Sequence, residues 1–225
     1  MDGADFDDRC RVAIYRSFAR DGRAPEPEGL GTHLGAEATD VVAALRRLAA
    51  ARLLVLDDAD PPSVVMAHPF SSIPLGFSVM GPTTLWWGGC AWDSFALAHL
   101  VADVSEVLVA TTCPACGSAL SWIVDRGRPP EGDEVAHFLV PARHMWDDVV
   151  HTCAHQRLFC SRQHVATWLS EHGYREGSIL DLATLWRLAR GWYAGRLDPG
   201  YYRREPADAK DYLRAAGLTG AFWGL

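Results

Sequence analysis

The chain has 225 residues, 49% of them hydrophobic, which suffices for one large domain or two small ones with a buried core. Its formal net charge of −7 argues against nonspecific binding of nucleic acid or of an anionic membrane surface, since both require clustered Lys and Arg. Residues 1–8 are acidic, and no basic-then-apolar leader or long apolar span is visible. We therefore expect a cytoplasmic protein.

The first 67 residues have the element order of a winged-helix-like module. Apolar residues at helical spacing predict helices over residues 7–20 and 41–51, and the Pro- and Gly-rich stretch 22–31 is typical of a loop. Residues 53–56 and 64–67 predict a short hairpin. The only basic residues that the second helix could present to DNA are Arg46 and Arg47, and the surrounding residues are acidic. A structural or substrate-covering role is therefore favoured over DNA binding.

Residues 68–225 have the pattern of an α+β core with a helical C-terminal extension. The predicted strands cover residues 77–80, 83–87, 107–111, 119–124 and 135–140. The predicted helices cover residues 94–100, 161–172, 180–194 and 207–216. Short strands packed against helices define the α+β class, and the domain boundary is predicted between residues 67 and 68.

The stretch Gly88-Gly89-Cys90-Ala91-Trp92-Asp93 joins a predicted strand to the helix over residues 94–100. Two glycines allow a tight turn, and the positive end of a helix dipole favours a thiolate over a thiol. Asp93 follows Cys90 by three residues, shares its helical face and can exchange a proton with the sulfur. The motif predicts a nucleophile beside an acid, although a buried small thiol and a first-turn helix acid explain it equally well.

Six cysteines are few for a disulfide scaffold of this length. Cys113-Pro-Ala-Cys116-Gly has the spacing of a zinc knuckle, which supplies half of a tetrahedral site. The available complements combine Cys153 with His151, His155 or Cys160, and none forms a second Cys-x-x-Cys. Two thiols at a tight turn are the preferred interpretation of Cys113 and Cys116, with a structural zinc site as the alternative.

The order of these residues resembles the organomercurial lyase, or alkylmercury lyase, family. That family uses a Cys-x-x-Asp motif with a distant cysteine, and the resemblance assigns these roles to Cys90, Asp93 and Cys153. Cys113 is similar to a further family cysteine regarded as structural. The resemblance covers most of the chain, and it implies a winged-helix-like region followed by an α+β catalytic core.

The activity implied by the resemblance is cleavage of carbon–mercury bonds by protonolysis, which releases a hydrocarbon and Hg(II). Hg(II) is a soft ion that prefers two thiolates, so Cys90 and Cys153 would hold it while Asp93 protonates the carbon. No cofactor is required, and an external thiol or a reductase would accept the Hg(II). Two alternatives remain open: a metal-binding or sensing protein without turnover, and a thiol-dependent enzyme with another substrate. The sequence also leaves the roles of Cys160 and His155 open.

Overall fold

The structure is a computed structural model that describes residues 3–225. Eight α-helices and ten strands occur in this range. The helices are α1 (Gly3–Asp21), α2 (Pro27–Leu34), α3 (Ala38–Ala50), α4 (Ala91–Leu100), α5 (Val149–Ala154), α6 (Arg162–His172), α7 (Leu182–Trp192) and α8 (Pro206–Ala215). The strands are β1 (Val55–Leu56), β2 (Val64–Ala67), β3 (Phe70–Ser71), β4 (Phe77–Met80), β5 (Leu85–Gly88), β6 (Glu106–Thr112), β7 (Ala119–Asp125), β8 (Val135–Phe138), β9 (Gln156–Phe159) and β10 (Ser178–Asp181).

Two antiparallel sheets form the β part of the fold. The larger sheet has seven strands in the order β1-β2-β3-β5-β4-β6-β7, and the smaller has the order β10-β8-β9. Strands β6 and β7 alternate buried and less buried residues along their length, as expected for a sheet with one face on the core. The predicted α+β class is confirmed.

Helix α4 lies at the centre of the core. Its residues 91–98 are all buried, which is the pattern of a helix surrounded by protein on every side. It packs against α7 and against strands β4 to β7 of the large sheet. Arg126, just beyond β7, donates hydrogen bonds of 2.7 Å to the carbonyl of Ala98 and 2.6 Å to that of Val101. These bonds satisfy carbonyl groups that the end of a helix leaves unpaired, and they fix α4 along its axis.

The N-terminal helices α1, α2 and α3 pack against one another and lead into the predicted hairpin. Strands β1 and β2 are antiparallel with Val55 opposite Met66, so the hairpin is confirmed. Strand β2 also pairs with β3, which joins the hairpin to the large sheet. The winged-helix-like character of this region and the boundary between residues 67 and 68 stay predictions.

A buried arginine connects α1 to the C-terminal part of the chain. Arg11 is 1% exposed and forms an ion pair of 2.7 Å with Asp8. Its guanidinium also donates to the carbonyl of Arg196, at 2.6 Å, and to that of Asp198. Arg11 therefore holds the segment after α7 against the first helix.

The prediction from sequence was wrong in two segments, and it did not include β3, α5 or β9. The stretch 22–31, expected as a loop, contains the start of α2, where Pro27 stands in the first turn and loses no hydrogen bond. The helix expected from residue 180 begins at Leu182, because residues 178–181 pair with β8 as strand β10. None of the helices in residues 3–225 is long and apolar enough to cross a membrane.

We expect His99 to make the stability of the fold depend on pH. His99 lies on α4 with its ring 5.2 Å from that of Trp186, and burial, together with Arg126 and Arg190, lowers its pKa to about 4. The unfolded chain binds a proton near pH 6.5 and the folded chain only near pH 4, so the free energy of unfolding should decrease as the pH falls through this interval. The loss should be about 1–2 kcal/mol for this partly exposed ring.

Urea unfolding of the wild type and of His99→Phe between pH 7.5 and pH 4.5 measures this contribution. The variant should lose less stability than the wild type on acidification. His33→Gln changes an exposed histidine and serves as the control. Equal pH dependence in wild type and His99→Phe would contradict the assignment.

Candidate active site

Cys90 is the N-cap residue of α4. Its Sγ accepts a hydrogen bond from the backbone N–H of Asp93 at 3.4 Å, in the position where a Ser or Asp side chain usually caps a helix. The Ser94 hydroxyl donates to the Cys90 carbonyl at 2.7 Å. Cys90 is only 2% exposed. The predicted placement of this thiol at a helix N-terminus is confirmed.

Gly88 and Gly89 are required for close packing. Neither has a positive φ, so the tight turn expected from their conformational freedom is not the reason for them. A Cβ on Gly88 would collide with Ser94, and a Cβ on Gly89 would collide with the Asp93 carboxylate and the Met66 methyl group. The absence of both side chains allows β5 to approach the first turn of α4.

The Asp93 carboxyl group is fully buried beside Cys90. The hydroxyl of Tyr193, the residue after α7, donates a hydrogen bond to Oδ1 of Asp93. Burial and the charge of Asp93 raise the pKa of Tyr193 well above its usual value, so this hydroxyl stays protonated. Asp93 Oδ2 points towards the second cysteine, with 3.9 Å between it and Cys153 Sγ.

Cys153 enters the same site from α5 and is 4% exposed. A hydrogen bond from Cys90 lowers the pKa of Cys153, and a further one from His68 acts in the same direction against the effect of burial. His68 Nε2 lies 3.5 Å from Cys153 Sγ. Burial raises the pKa of Cys90 well above its usual value, and Cys153 and Asp93 add to this. The surroundings therefore favour the thiolate form more at Cys153 than at Cys90.

Two basic residues of the site, His68 and Arg196, were not predicted from the sequence. Burial alone would lower the pKa of His68, but the charge of Asp93 and the hydrogen bond with Cys153 outweigh it, and the pKa is raised. Arg196 is 5% exposed and donates to the His68 carbonyl at 2.7 Å. Its guanidinium lies 4.6 Å from the centre of the Tyr193 ring. No carboxylate in residues 3–225 forms an ion pair with Arg196. Its positive charge therefore acts on the buried groups that lie beside it.

A cavity of about 430 Å³ opens onto Cys90, Asp93 and Cys153. Its walls are mainly apolar and aromatic, which is typical of a site for a small molecule. The apolar wall residues include Trp92, Met145, Trp146, Val149, Leu213 and Trp223. Besides His68 and Arg196, four further basic side chains line the cavity: Arg143, Arg203, Arg204 and Lys210.

The structure separates the other cysteine candidates from this cavity. Cys160 lies beside Cys113 and Cys116, whereas Cys153, which the sequence offered as a complement to that pair, belongs to the active-site cavity. His164 completes the cluster that contains Cys113, Cys116 and Cys160. Sequence analysis missed it, although it follows Cys160 by four residues.

His151, on α5, and His155, the C-cap residue of α5, belong to neither group of cysteines. His155 packs against Tyr174, with ring centres 5.5 Å apart, and against His151, at 4.1 Å. Neither histidine lines the active-site cavity.

Two cysteines and a buried carboxyl group in one apolar cavity are typical of a thiol-dependent enzyme that binds a soft metal and transfers a proton. The model of the MerB alkylmercury lyase family matches residues 70–194, more than half of the sequence, and the chain belongs to this family. Members of the family cleave carbon–mercury bonds, and the chain is an enzyme of this type. The matched segment contains Cys90, Asp93 and Cys153 but ends before Arg196.

A solved structure shows the same fold. The crystal structure of the mercury-bound form of MerB2 is similar with a TM-score of 0.59 and 23% sequence identity, over 80% of this chain and 87% of that one. No curated protein matches the sequence.

We expect removal of the His68 charge to raise the pKa of Cys153. In His68→Gln the imidazole group that favours the thiolate is lost, so alkylation of Cys153 by iodoacetamide should slow at pH 7 and its pH profile should move upward. Peptide mass spectrometry measures the rate at Cys153 alone. His151→Gln is the matched control on α5, and it should leave the profile in place. An unchanged profile in His68→Gln would show that Cys90 alone stabilises the thiolate.

Proposed function

We propose that carbon–mercury bond cleavage in this protein uses Cys153 as the first thiolate, Cys90 as the second and Asp93 as the proton donor. The observation that supports these roles most directly is the meeting of the three side chains in one buried cavity, although Cys153 lies 60 residues from Asp93. The substrate is a small organomercurial, R–Hg–X, in which X is a thiolate or halide. The apolar wall of the cavity suits the organic group R.

In the first step the Cys153 sulfur attacks mercury. A bond forms between Cys153 Sγ and the metal, the bond from mercury to X breaks, and X leaves with its electron pair. Cys153 is suited to this role because its pKa is lowered by Cys90 and His68. Its proximity to Asp93 also places the bound mercury near the acid.

In the second step Cys90 gives its thiol proton to the Asp93 carboxylate and bonds to mercury. Asp93 then protonates the carbon atom, and the electron pair of the carbon–mercury bond becomes the new carbon–hydrogen bond. The products are R–H, Hg(II) held by Cys90 and Cys153, and an ionised Asp93. Two thiolates match the coordination that soft metal ions prefer.

Release of Hg(II) requires external thiols that replace Cys90 and Cys153 one after the other. We assign this partner role to a small thiol or to a protein such as a reductase. The basic residues of the cavity, among them Arg203 and Lys210, would attract an anionic thiol. Because the reaction needs reduced cysteines, we place the protein in the cytoplasm.

We expect Asp93→Asn to bind an organomercurial but to release little hydrocarbon. The amide keeps the shape of the carboxyl group and cannot carry the proton, so single-turnover release of benzene from phenylmercury should fall at least about 100-fold. Gas chromatography measures benzene, and mass spectrometry measures the phenylmercury adduct on the protein. Asp211→Asn, at a side chain 78% exposed, is the control and should match the wild type.

The same assay distinguishes an enzyme from a protein that only binds metal. A binder would retain phenylmercury without benzene release in the wild type, and Asp93→Asn would then be indistinguishable from it. Benzene release by Asp93→Asn at the wild-type rate would contradict the role of Asp93. Cys90→Ser and Cys153→Ser should each abolish release, because two sulfurs are needed to hold the departing metal.

We expect Tyr193→Phe to slow protonolysis by about tenfold or more. The variant removes the hydrogen bond to Asp93 Oδ1, and hydrogen bonds to charged groups contribute about 1.5–3 kcal/mol. Phenylmercury binding should be retained, because Tyr193 orients the acid and does not supply a sulfur. The control is Tyr202→Phe at a residue 80% exposed. Equal loss of binding and release would instead indicate a general structural role.

A further inference from the structure

A second group of cysteines lies outside the active-site cavity. Cys113, Cys116, Cys160 and His164 each offer one donor atom, and these four atoms all lie within 4.8 Å of one another. Two of the separations are 3.6 Å between Cys113 Sγ and His164 Nδ1, and 3.7 Å between Cys116 Sγ and Cys160 Sγ. All four side chains therefore converge on one point.

These two separations match the edges of a tetrahedral zinc site. Zinc–sulfur bonds of about 2.3 Å and zinc–nitrogen bonds of about 2.0 Å place two sulfurs about 3.8 Å apart, and a sulfur and a nitrogen about 3.5 Å apart. A disulfide would instead need the two sulfurs at about 2.0 Å. The cysteines are unpaired thiols in the structure.

The backbone around the cluster holds each pair of donors. Cys113 and Cys116 lie on the turn between β6 and β7, which closes through a 2.9 Å hydrogen bond from the Gly117 N–H to the Cys113 carbonyl. Gly117 has a φ of +72°, which favours glycine at this point. A second hydrogen bond of 2.9 Å, from the Cys113 N–H to the Ser118 carbonyl, completes the turn. This is the arrangement that a Cys-x-x-Cys knuckle requires.

The second pair lies where β9 passes into α6. Cys160 follows the last residue of β9, and His164 lies in the first turn of α6, whose N-cap is Ser161. The Ser161 hydroxyl oxygen accepts a 3.3 Å hydrogen bond from the His164 N–H. The helix start therefore fixes the backbone of His164 and directs its ring towards Cys113.

We propose that Cys113, Cys116, Cys160 and His164 bind one structural zinc ion. Three sulfurs and one imidazole form a donor set typical of zinc, and four protein ligands leave no open position for a substrate. The ion would join the β6–β7 turn to the start of α6. Since β9 directly precedes α6 and follows α5, the site would also hold in place the segment that carries Cys153.

Zinc content and cobalt substitution test this site independently of catalysis. The protein is purified without chelators from zinc-supplemented cells, and its metal content is measured by mass spectrometry. We expect about one zinc per chain in the wild type and also in the Cys90→Ser/Cys153→Ser variant. The Cys116→Ser/Cys160→Ser variant should contain less than a tenth of this amount. Cys10→Ala, which changes a cysteine outside both clusters, is the matched control and should retain the zinc.

Two further measurements keep the test decisive if the double variant folds poorly. Co(II) added to the metal-free wild type should give the visible bands of a tetrahedral site with strong sulfur-to-metal absorption in the near ultraviolet. Chelation should lower the Tm of the wild type by about 5 °C or more, and added zinc should restore it.

Several results would overturn the proposal. These are a wild-type protein that contains no zinc and takes up none, cobalt bands without sulfur charge transfer, and zinc that disappears only in Cys90→Ser/Cys153→Ser. A Cys116–Cys160 disulfide in the protein from reducing cells would likewise contradict it. Because zinc content is measured without any organomercurial, failure of this proposal and failure of the catalytic roles are separate results.

Discussion

The buried carboxyl group of Asp93 is the constraint on which the arrangement of the site depends. Burying a carboxyl group without solvent contact is costly unless nearby groups form hydrogen bonds with it or compensate its charge. Here Tyr193 donates a hydrogen bond to the carboxyl group, His68 interacts with it electrostatically, and it lies at the positive end of α4. Three separate parts of the chain must therefore converge before Asp93 can be buried, and their convergence also brings Cys153 to Cys90.

Much of the fold could be predicted because its elements carry local signals. The apolar run within α4, the alternation in β6 and β7, and the turn residues between β1 and β2 are each visible within a short window. Helix α2 was missed because its Pro and Gly residues suggested a loop, although Pro27 occupies a position where helices accept proline. Strand β10 was missed because its pairing with β8 is a contact between distant residues.

The residues of the site likewise divide into those that carry a local sequence signal and those that do not. Cys90 and Asp93 were identifiable from one short motif, whereas Cys153 was identified only through the resemblance to a family. His68 and Arg196 carry no local signal, since their function comes from charges that approach in the folded chain. His164 illustrates an intermediate case: its spacing from Cys160 is visible in the sequence, but only the structure places it beside Cys113.

The two groups of cysteines have different surroundings, and these surroundings favour different chemistry in each group. The active-site pair lies next to an acid and an apolar cavity, so a metal bound there remains accessible to a substrate group and to incoming thiols. The second cluster offers four donors and no carboxylate. The active-site pair therefore suits linear coordination of a soft ion, and the second cluster suits tetrahedral coordination of a borderline ion.

Arg11 couples the first helix to the segment after α7 through hydrogen bonds. Arg11 donates to the carbonyl of Arg196, and Arg196 in turn donates to the carbonyl of His68 and to the Tyr15 hydroxyl. Local opening of α1 would break this chain of hydrogen bonds and leave Arg196 without its support. The N-terminal helix and the electrostatic environment of the active site therefore form one cooperative unit, whose amides should exchange with solvent together.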